Sequence, residues 1–232
     1  MGLQHGPNII NDELVFCIDA ANPKSYISGS SDILNIKDTT ITGSAEGGLG
    51  FNSDNAGAWD FDGVDDYIEF GNVDSSNILS LFNISCTIST WVAADLTGDS
   101  YQRIIDKSNG TSGQNGYSLS FPNSTSPDIG FYINTSQVLQ YDIPSYTSGQ
   151  WVNIVVTKSG NDHILYVNGI SVDTDTSTNP IPSTTTGVRV GTWSTTGREF
   201  NGKIPNISIY HKALSPQEVK QNYNALKSRF GL

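Results

Sequence analysis

The sequence predicts an all-β fold, a two-sheet antiparallel sandwich or jelly roll with one C-terminal α-helix, on three observations. Short runs of alternating apolar residues recur along the chain with turn formers between them, the pattern of strands that turn one face to a core. The Asn168-Gly169 step separates two such runs, a strong signal for a two-residue hairpin. Only after Ser215 does the apolar period change from two to that of a helix.

The first strand is Leu14–Asp19, stopped by the Asn22-Pro23 step. Residues 28–55 are polar and glycine-rich, with only short β-prone pieces such as 33–36. Next comes the run Trp59-Asp60-Phe61-Asp62-Gly63-Val64-Asp65-Asp66-Tyr67-Ile68-Glu69-Phe70, read as a β-hairpin with carboxylates at its tip. Strands follow at 83–94, where Ile84, Cys86, Ile88 and Val92 share a phase opposite to Trp91, and at 103–107, before a turn at 108–110. Further strands span 116–121, 129–134 and 151–158. The Asn-Gly hairpin joins 163–167 to 170–172, residues 173–187 form a Ser/Thr/Pro-rich loop, and 188–193 and 204–210 are the closing strands. Ser215-Pro216-Gln217-Glu218 then supplies an N-cap, a proline at the first helical position and a capping-box glutamate. Val219, Tyr223, Leu226 and Phe230 make one apolar stripe, which seals an edge or face of the sandwich.

Composition bounds the partners. Of 232 residues, 36% are hydrophobic and 15% charged, enough apolar material for one core. Twelve basic against 23 acidic residues give a net charge of −11, a surface that repels phosphate backbones and anionic lipid. Nucleic acid is therefore excluded as a partner, and no segment has the roughly 18–20 apolar residues that membrane insertion requires. Cys17 and Cys86 are read as free thiols rather than a bridge, and with no basic and apolar leader the chain is expected to fold in a reducing cytoplasm.

The motifs together resemble the laminin-G-like, concanavalin A-like jelly-roll domains. Phe61-Asp62-Gly63-Val64-Asp65-Asp66-Tyr67-Ile68, Thr87-Ile88-Ser89-Thr90-Trp91-Val92, Trp151-Val152-Asn153-Ile154-Val155-Val156 and Leu165-Tyr166-Val167-Asn168-Gly169 stand in the family's order. Phe200-Asn201-Gly202-Lys203-Ile204 and the segment from Ile209 to Ser215 complete its ending. The opening from Gly6-Pro7-Asn8-Ile9 through Tyr26, and the close from Gln221 to Leu232, resemble such domains in virion proteins of marine tailed bacteriophages. The expected organisation is an N-terminal arm at 1–12, a jelly-roll domain at 13–214 and a capping helix at 215–232 packed on the sandwich.

The resemblance implies a non-enzymatic virion surface protein, a capsid decoration or a fibre or tail component, assembled in the host cytoplasm. Its partners would be other virion proteins in a homo-oligomer or multi-copy lattice, and a host surface glycan. One rival is a lectin-type receptor binder for a host saccharide; another is a polysaccharide depolymerase acting through Asp65 or Asp66. Catalysis is not expected, because Glu13, Glu46, Glu69, Glu199 and Glu218 match no Glu-x-Asp-x-x-Glu strand, and His5, His163 and His211 are scattered, read as surface residues. Sugars stack on aromatic faces, which makes Trp193, Arg198, Tyr101 and Tyr141 the candidate glycan residues, while Trp59, Trp91 and Trp151 sit inside motifs as structural residues. No cofactor is required. Asp19, Asp62, Asp65 and Asp66 are the carboxylates that could hold Ca²⁺, although Pro205-Asn206 stands where many relatives carry an acidic pair.

Overall fold

A computed structural model of the protein describes residues 7–71, 79, 81, 84–97, 100–109, 115–123, 126–195 and 197–232. His5, the first half of the N-terminal arm, the start of the strand expected at 83–94 and the end of the turn at 108–110 lie outside the described residues. In chain order the strands are β1 (Leu14–Asp19), β2 (Asp32–Leu34), β3 (Thr42–Glu46), β4 (Gly50–Asn52), β5 (Ala58–Asp62), β6 (Tyr67–Glu69), β7 (Cys86–Ala94) and β8 (Gln102–Lys107). They continue as β9 (Tyr117–Phe121), β10 (Asp128–Ile133), β11 (Ser136–Asp142), β12 (Val152–Ser159), β13 (Asp162–Val167), β14 (Ile170–Thr176), β15 (Arg189–Val190) and β16 (Asn201–Tyr210). Helix α1 (Pro216–Leu226) and a 3₁₀ turn (Lys227–Phe230) end the chain. Among the described residues, none of the helices is long and apolar enough to cross a membrane.

The strands form two eight-stranded antiparallel sheets. The first runs β14-β13-β12-β7-β16-β5-β4, with β1 also on β16; the second runs β11-β10-β9-β8-β15-β6-β3-β2. Alternation decides what lies between them. Phe16, Trp59, Phe61, Ile88, Ile154 and Ile207 of the first sheet meet Ile68, Ile105, Leu119, Phe131 and Val190 of the second in one buried core. Asn168 and Gly169 take φ of 52° and 74°, the left-handed pair of a type I′ turn, and so join β13 to β14 as expected.

The run from Trp59 to Phe70 is not a hairpin. Its first half, β5, pairs with β16 and β4 in the first sheet, and its second half, β6, pairs with β15 and β3 in the second. Trp59 and Phe61 therefore face Ile68 and Phe70 across the core, and the Asp62–Asp66 turn is a crossover between sheets. The side-chain alternation is the same in either arrangement; only the backbone partners differ.

Pro205-Asn206 also has a structural explanation. β5 pairs with residues 201–204 of β16 and β1 with 206–210, so Pro205, which has no N–H to give, stands where one neighbour replaces the other. Its carbonyl accepts from Ala20 N at 2.9 Å, and Asn206 Oδ1 accepts from Trp91 N at 3.2 Å across a register irregularity.

Helix α1 starts as its sequence specifies: Ser215 Oγ accepts from Glu218 N at 3.3 Å and Glu218 Oε2 accepts from Ser215 N at 2.8 Å. Its apolar stripe packs on the outer face of the first sheet. Val219 joins Leu14, Val155, Tyr166, Tyr210 and Leu214 in a second buried cluster, with Cys17 at its edge. Trp91 stacks on Tyr223 at 5.6 Å and on Phe230 at 4.3 Å, and Trp151 meets Phe230 at 4.8 Å. Residues 8–10 lie along the same helix, where Ile10 N donates to Asn222 Oδ1 at 2.8 Å and Gln221 Nε2 to Asn8 O at 2.8 Å. Both cysteines are free and buried, and burial pushes the Cys17 thiol up to about 11 and that of Cys86 up to about 12.

Candidate functional site

The outer face of the second sheet is built differently. Where Tyr117, Leu119 and Phe121 point inward, Ser118 and Ser120 must point outward, and Gly130 and Tyr132 alternate in the same way with Ile129, Phe131 and Ile133. Register carries this polar face across the sheet, and six strands contribute to one row: Tyr132, Ser118, Asp106, Arg189, Glu69 and Ser44. A register shift in β8 between Arg103 and Ile105 sends Ile104 and Ile105 together into the core, which places Arg103 and Asp106 on the same outward face.

Residues 191–195 and 197–200 arch over this face. Gly191 opens the arch with φ 88°, and a Cβ there would lie 2.4 Å from the Phe61 ring, so only glycine passes. Phe200 N closes it by donating to Gly191 O at 2.7 Å, and Arg103 N donates to Arg198 O at 3.0 Å. The arch lays the Arg198 guanidinium 4.0 Å from the Trp193 ring centroid and 5.0 Å from that of Tyr101. Arg103 lies 5.9 Å from Tyr101 and 6.0 Å from Tyr132. The result is a layered column of aromatic rings and guanidiniums, each contact worth about 0.5–2 kcal/mol according to its desolvation.

Beside the column is a recess of about 210 Å³ bordered by Val64, Asp65, Tyr67, Arg189, Trp193 and Glu199. Arg189 is fixed there by Glu69 through its Nε, by Trp193 O at 2.7 Å through its Nη1, and over the Tyr67 ring at 5.5 Å. Burial dominates the electrostatics deeper in. It pushes the Asp106 carboxyl up to about 6, against the pull of Arg103 at 3.2 Å and the two hydrogen bonds from Ser108. Burial likewise brings Arg103 down to about 10, with Asp106 opposing and Arg198 adding to the shift.

Of the glycan residues expected from sequence, Trp193, Arg198 and Tyr101 are brought together. Tyr141 is not: it lies on β11, pairs with Ile129 of β10 and packs against the core. Of the metal residues, Asp62, Asp65 and Asp66 offer oxygens within 4.8 Å of one another. Asp19 lies apart, on the helix side, where its carboxylate accepts from Arg229 Nη1 at 2.9 and 3.1 Å. In the crossover turn, Asp62 Oδ1 accepts from Val64 N at 2.8 Å and Asp66 Oδ2 from Asp62 N at 2.9 Å. Ca²⁺ takes about six to eight oxygens, so the three carboxylates make an incomplete shell. The Asp66 carboxyl is pushed up, first by burial and then by its acidic neighbours.

His163 corrects another expectation. It is buried on β13 rather than at the surface, and burial with the nearby Lys158 holds its pKa below the usual histidine range. Arg103, Asp106, Arg189 and Tyr67 were not singled out by the sequence. The alternation of 116–121 and 129–134 was the available signal, but the register shift in β8 hid the phase of Arg103 and Asp106.

Known structures share this architecture. A Trypanosoma rangeli sialidase solved with 2,3-difluorosialic acid matches with a TM-score of 0.70 at 12% identity, over 97% of this chain and 35% of that one. The receptor binding domain of botulinum neurotoxin C/D mosaic serotype matches with a TM-score of 0.70 at 16% identity, over 92% of this chain and 51% of that one. The binding domain of botulinum neurotoxin DC, solved with SialylT, gives 0.69 at 14%, over 93% and 52%. The chain thus spans a third to a half of the length of these proteins. No curated protein sequence matches it. The sialidases correct the expectation that the chain is not an enzyme, since their fold extends over nearly all of it and the fold gives no ground for excluding catalysis. At 12% identity the fold is all that is shared, and binding domains share it as well. A family profile described as "Concanavalin A-like lectin/glucanases superfamily" matches residues 61–220, more than half of the chain, and the chain belongs to that family.

Proposed function

We propose that the chain is a carbohydrate-binding domain whose outer second sheet takes a host-cell glycan, displayed in many copies as a virion surface component. The observation that carries the glycan reading is the Trp193–Arg198–Tyr101 column beside a recess lined by Tyr67, Arg189 and Glu199. The exposed Tyr101 ring offers a sugar its stacking surface, the buried Trp193 holds Arg198 in place from beneath, and fixed polar side chains at the rim give the sugar hydroxyls partners. Structural neighbours that bind glycans or protein receptors support it at the level of the fold.

The virion role rests on the resemblance of both chain ends to phage virion domains. It suits the geometry. Residues 8–10 and the C-terminal turn both lie against the first sheet, so attachment to capsid, tail or fibre subunits on that side leaves the glycan face outward. Binding needs no cofactor in this reading, and a calcium titration that leaves sugar affinity unchanged is the expected result.

Trp193→Ala and Arg198→Ala should each abolish binding to host cells while leaving the circular dichroism spectrum unchanged. Binding by both variants at the parental level would remove the site assignment. Localising the tagged protein on intact particles by electron microscopy tests the virion role, and its absence from purified particles would end it.

A further inference from the structure

We infer that the glycan face contains an anion subsite, in which Arg103 and Arg198 receive the carboxylate or sulfate of an acidic sugar. This rests on the glycan reading above and deepens it.

The starting point is a set of polar atoms without partners. Arg103 is fully buried; its Nε faces Asp106 Oδ2 at 3.2 Å, but its Nη1 makes no hydrogen bond, nor does the buried Nη1 of Arg198. The hydroxyls of Ser118 and Ser120 are buried and unpaired as well. All belong to one place: Arg103 is the register partner of Ser120, and Asp106 that of Ser118. Buried polar groups are almost always satisfied, so several unsatisfied donors converging on one patch of a sheet mark a position for an acceptor.

The charge of the missing acceptor follows from the groups around it. Among the described residues Asp106 is the one carboxylate ion-paired with Arg103: its Oδ2 faces Arg103 Nε at 3.2 Å and its Oδ1 is taken by the backbone and side chain of Ser108, which leaves the Nη1 atoms of Arg103 and Arg198 without an acceptor. Arg189 has Glu69. The Glu199 carboxylate accepts from Gly197 N at 3.0 and 2.9 Å. Among the described residues the Arg198 guanidinium makes no ion pair, only ring contacts. Two guanidiniums thus share one carboxylate in a poorly solvated place, and a second anion would complete the set through the forked N–H geometry of arginine. The net charge of −11 argues for one anionic group on an otherwise neutral, stackable molecule rather than a polyanion.

Tyr101 closes the subsite. Its ring touches both guanidiniums and Tyr132 while remaining 39% exposed. Its backbone sits at φ 63°, a left-handed conformation that is strained for a bulky residue and accumulates at ligand clamps. Displacement of this ring would open Arg103 to a ligand.

The test is a titration of the full chain, followed through the arginine Nε–Hε resonances. The probes are methyl glucuronide, methyl glucoside 6-sulfate, neutral methyl glucoside and sodium sulfate. The glucuronide or the sulfated sugar should shift Arg103 and Arg198 with at least tenfold higher affinity than the neutral glucoside, and whichever binds tighter identifies the anion. Arg198→Lys, on the half-buried arch, keeps the charge and the fold but should lose that tenfold. Equal affinity for acidic and neutral sugars would overturn the acidic preference while leaving the glycan reading intact. Sodium sulfate binding as tightly as the sulfated sugar would overturn the sugar assignment of the subsite. If no sugar moves either the arginines or Trp193, the glycan reading itself fails and this inference with it.

Discussion

The two outer faces of this sandwich solve the same problem in opposite ways. Outside the first sheet, Trp91 and Trp151 lie under Tyr223 and Phe230, and the surface closes with apolar contact. Outside the second sheet, aromatic rings are also present, but they are interleaved with guanidiniums, and several buried donors are left without acceptors. Burying an aromatic side chain contributes about 1.5–3 kcal/mol, whereas an unpaired buried polar group costs about 1–3 kcal/mol. One face therefore stabilises the domain and the other draws on that stability, the expected mark of a surface kept for a ligand.

The sharpest way to break this contrast is to cut into the apolar face. Trp91→Ala removes the ring on which the helix and the final turn stack, and it should cost about 3–5 kcal/mol in urea unfolding, the range for a large aromatic lost from a core. Trp193 is itself buried, so Trp193→Ala should also cost stability, though less than Trp91→Ala, and remove binding. Were Trp193→Ala the more destabilising of the two, the faces would have been assigned the wrong way round.

A middle-sized effect comes from the polar face. Replacing the buried Arg103–Asp106 pair together, as Arg103→Met with Asp106→Leu, should leave stability unchanged or raise it by about 1–4 kcal/mol, because the desolvation cost disappears with the charges. The same double variant should lose glycan binding. A loss of stability comparable to that of Trp91→Ala would show that the pair holds the sheet together.

The smallest effect is a pH dependence at the crossover turn. Asp66 has a carboxyl pKa raised above its unfolded value, so the folded state binds its proton more tightly than the unfolded state does. Its contribution is complete below the unfolded pKa of about 3.9 and is lost as pH rises through the raised value. Asp106 acts in the same direction, over about pH 4 to 6. Asp66→Asn keeps an acceptor for Asp62 N but cannot ionise, so its stability relative to the parent should rise from pH 4 to pH 7. A constant difference across that range would mean that Asp66 carries no such strain.

Local chemistry was legible in the sequence wherever the structure it sets is local. The capping box at Ser215, the Asn168-Gly169 turn and both ends of β1 stand where the residues place them. Long-range pairing was less so. The Asp62–Asp66 turn forms the same side-chain-to-backbone bonds whether its flanking strands pair with each other or divide between sheets, which is why a crossover read as a hairpin. β11 is hidden because Val138-Leu139 places two apolar residues in succession, Val138 being the extra residue of a bulge in β11 opposite Phe131 and Tyr132. At the site, Trp193 and Arg198 are close in sequence and were found together. Tyr101 joins them from the turn just before β8, far away in sequence, and Tyr141 is placed against the core by its pairing with Ile129.

The position of β16 has a consequence for how the domain is made. This strand is the last of the described strands in chain order, yet it lies between β7 on one edge and β5 with β1 on the other. Until it emerges from the ribosome, β1 has no partner strand and the first sheet is divided in two. Such long-range closure delays folding and exposes strand edges meanwhile. The nascent chain must therefore remain soluble with its sheet open until residues 201–210 have been translated. A chain truncated before residue 201 should aggregate rather than form a smaller sandwich.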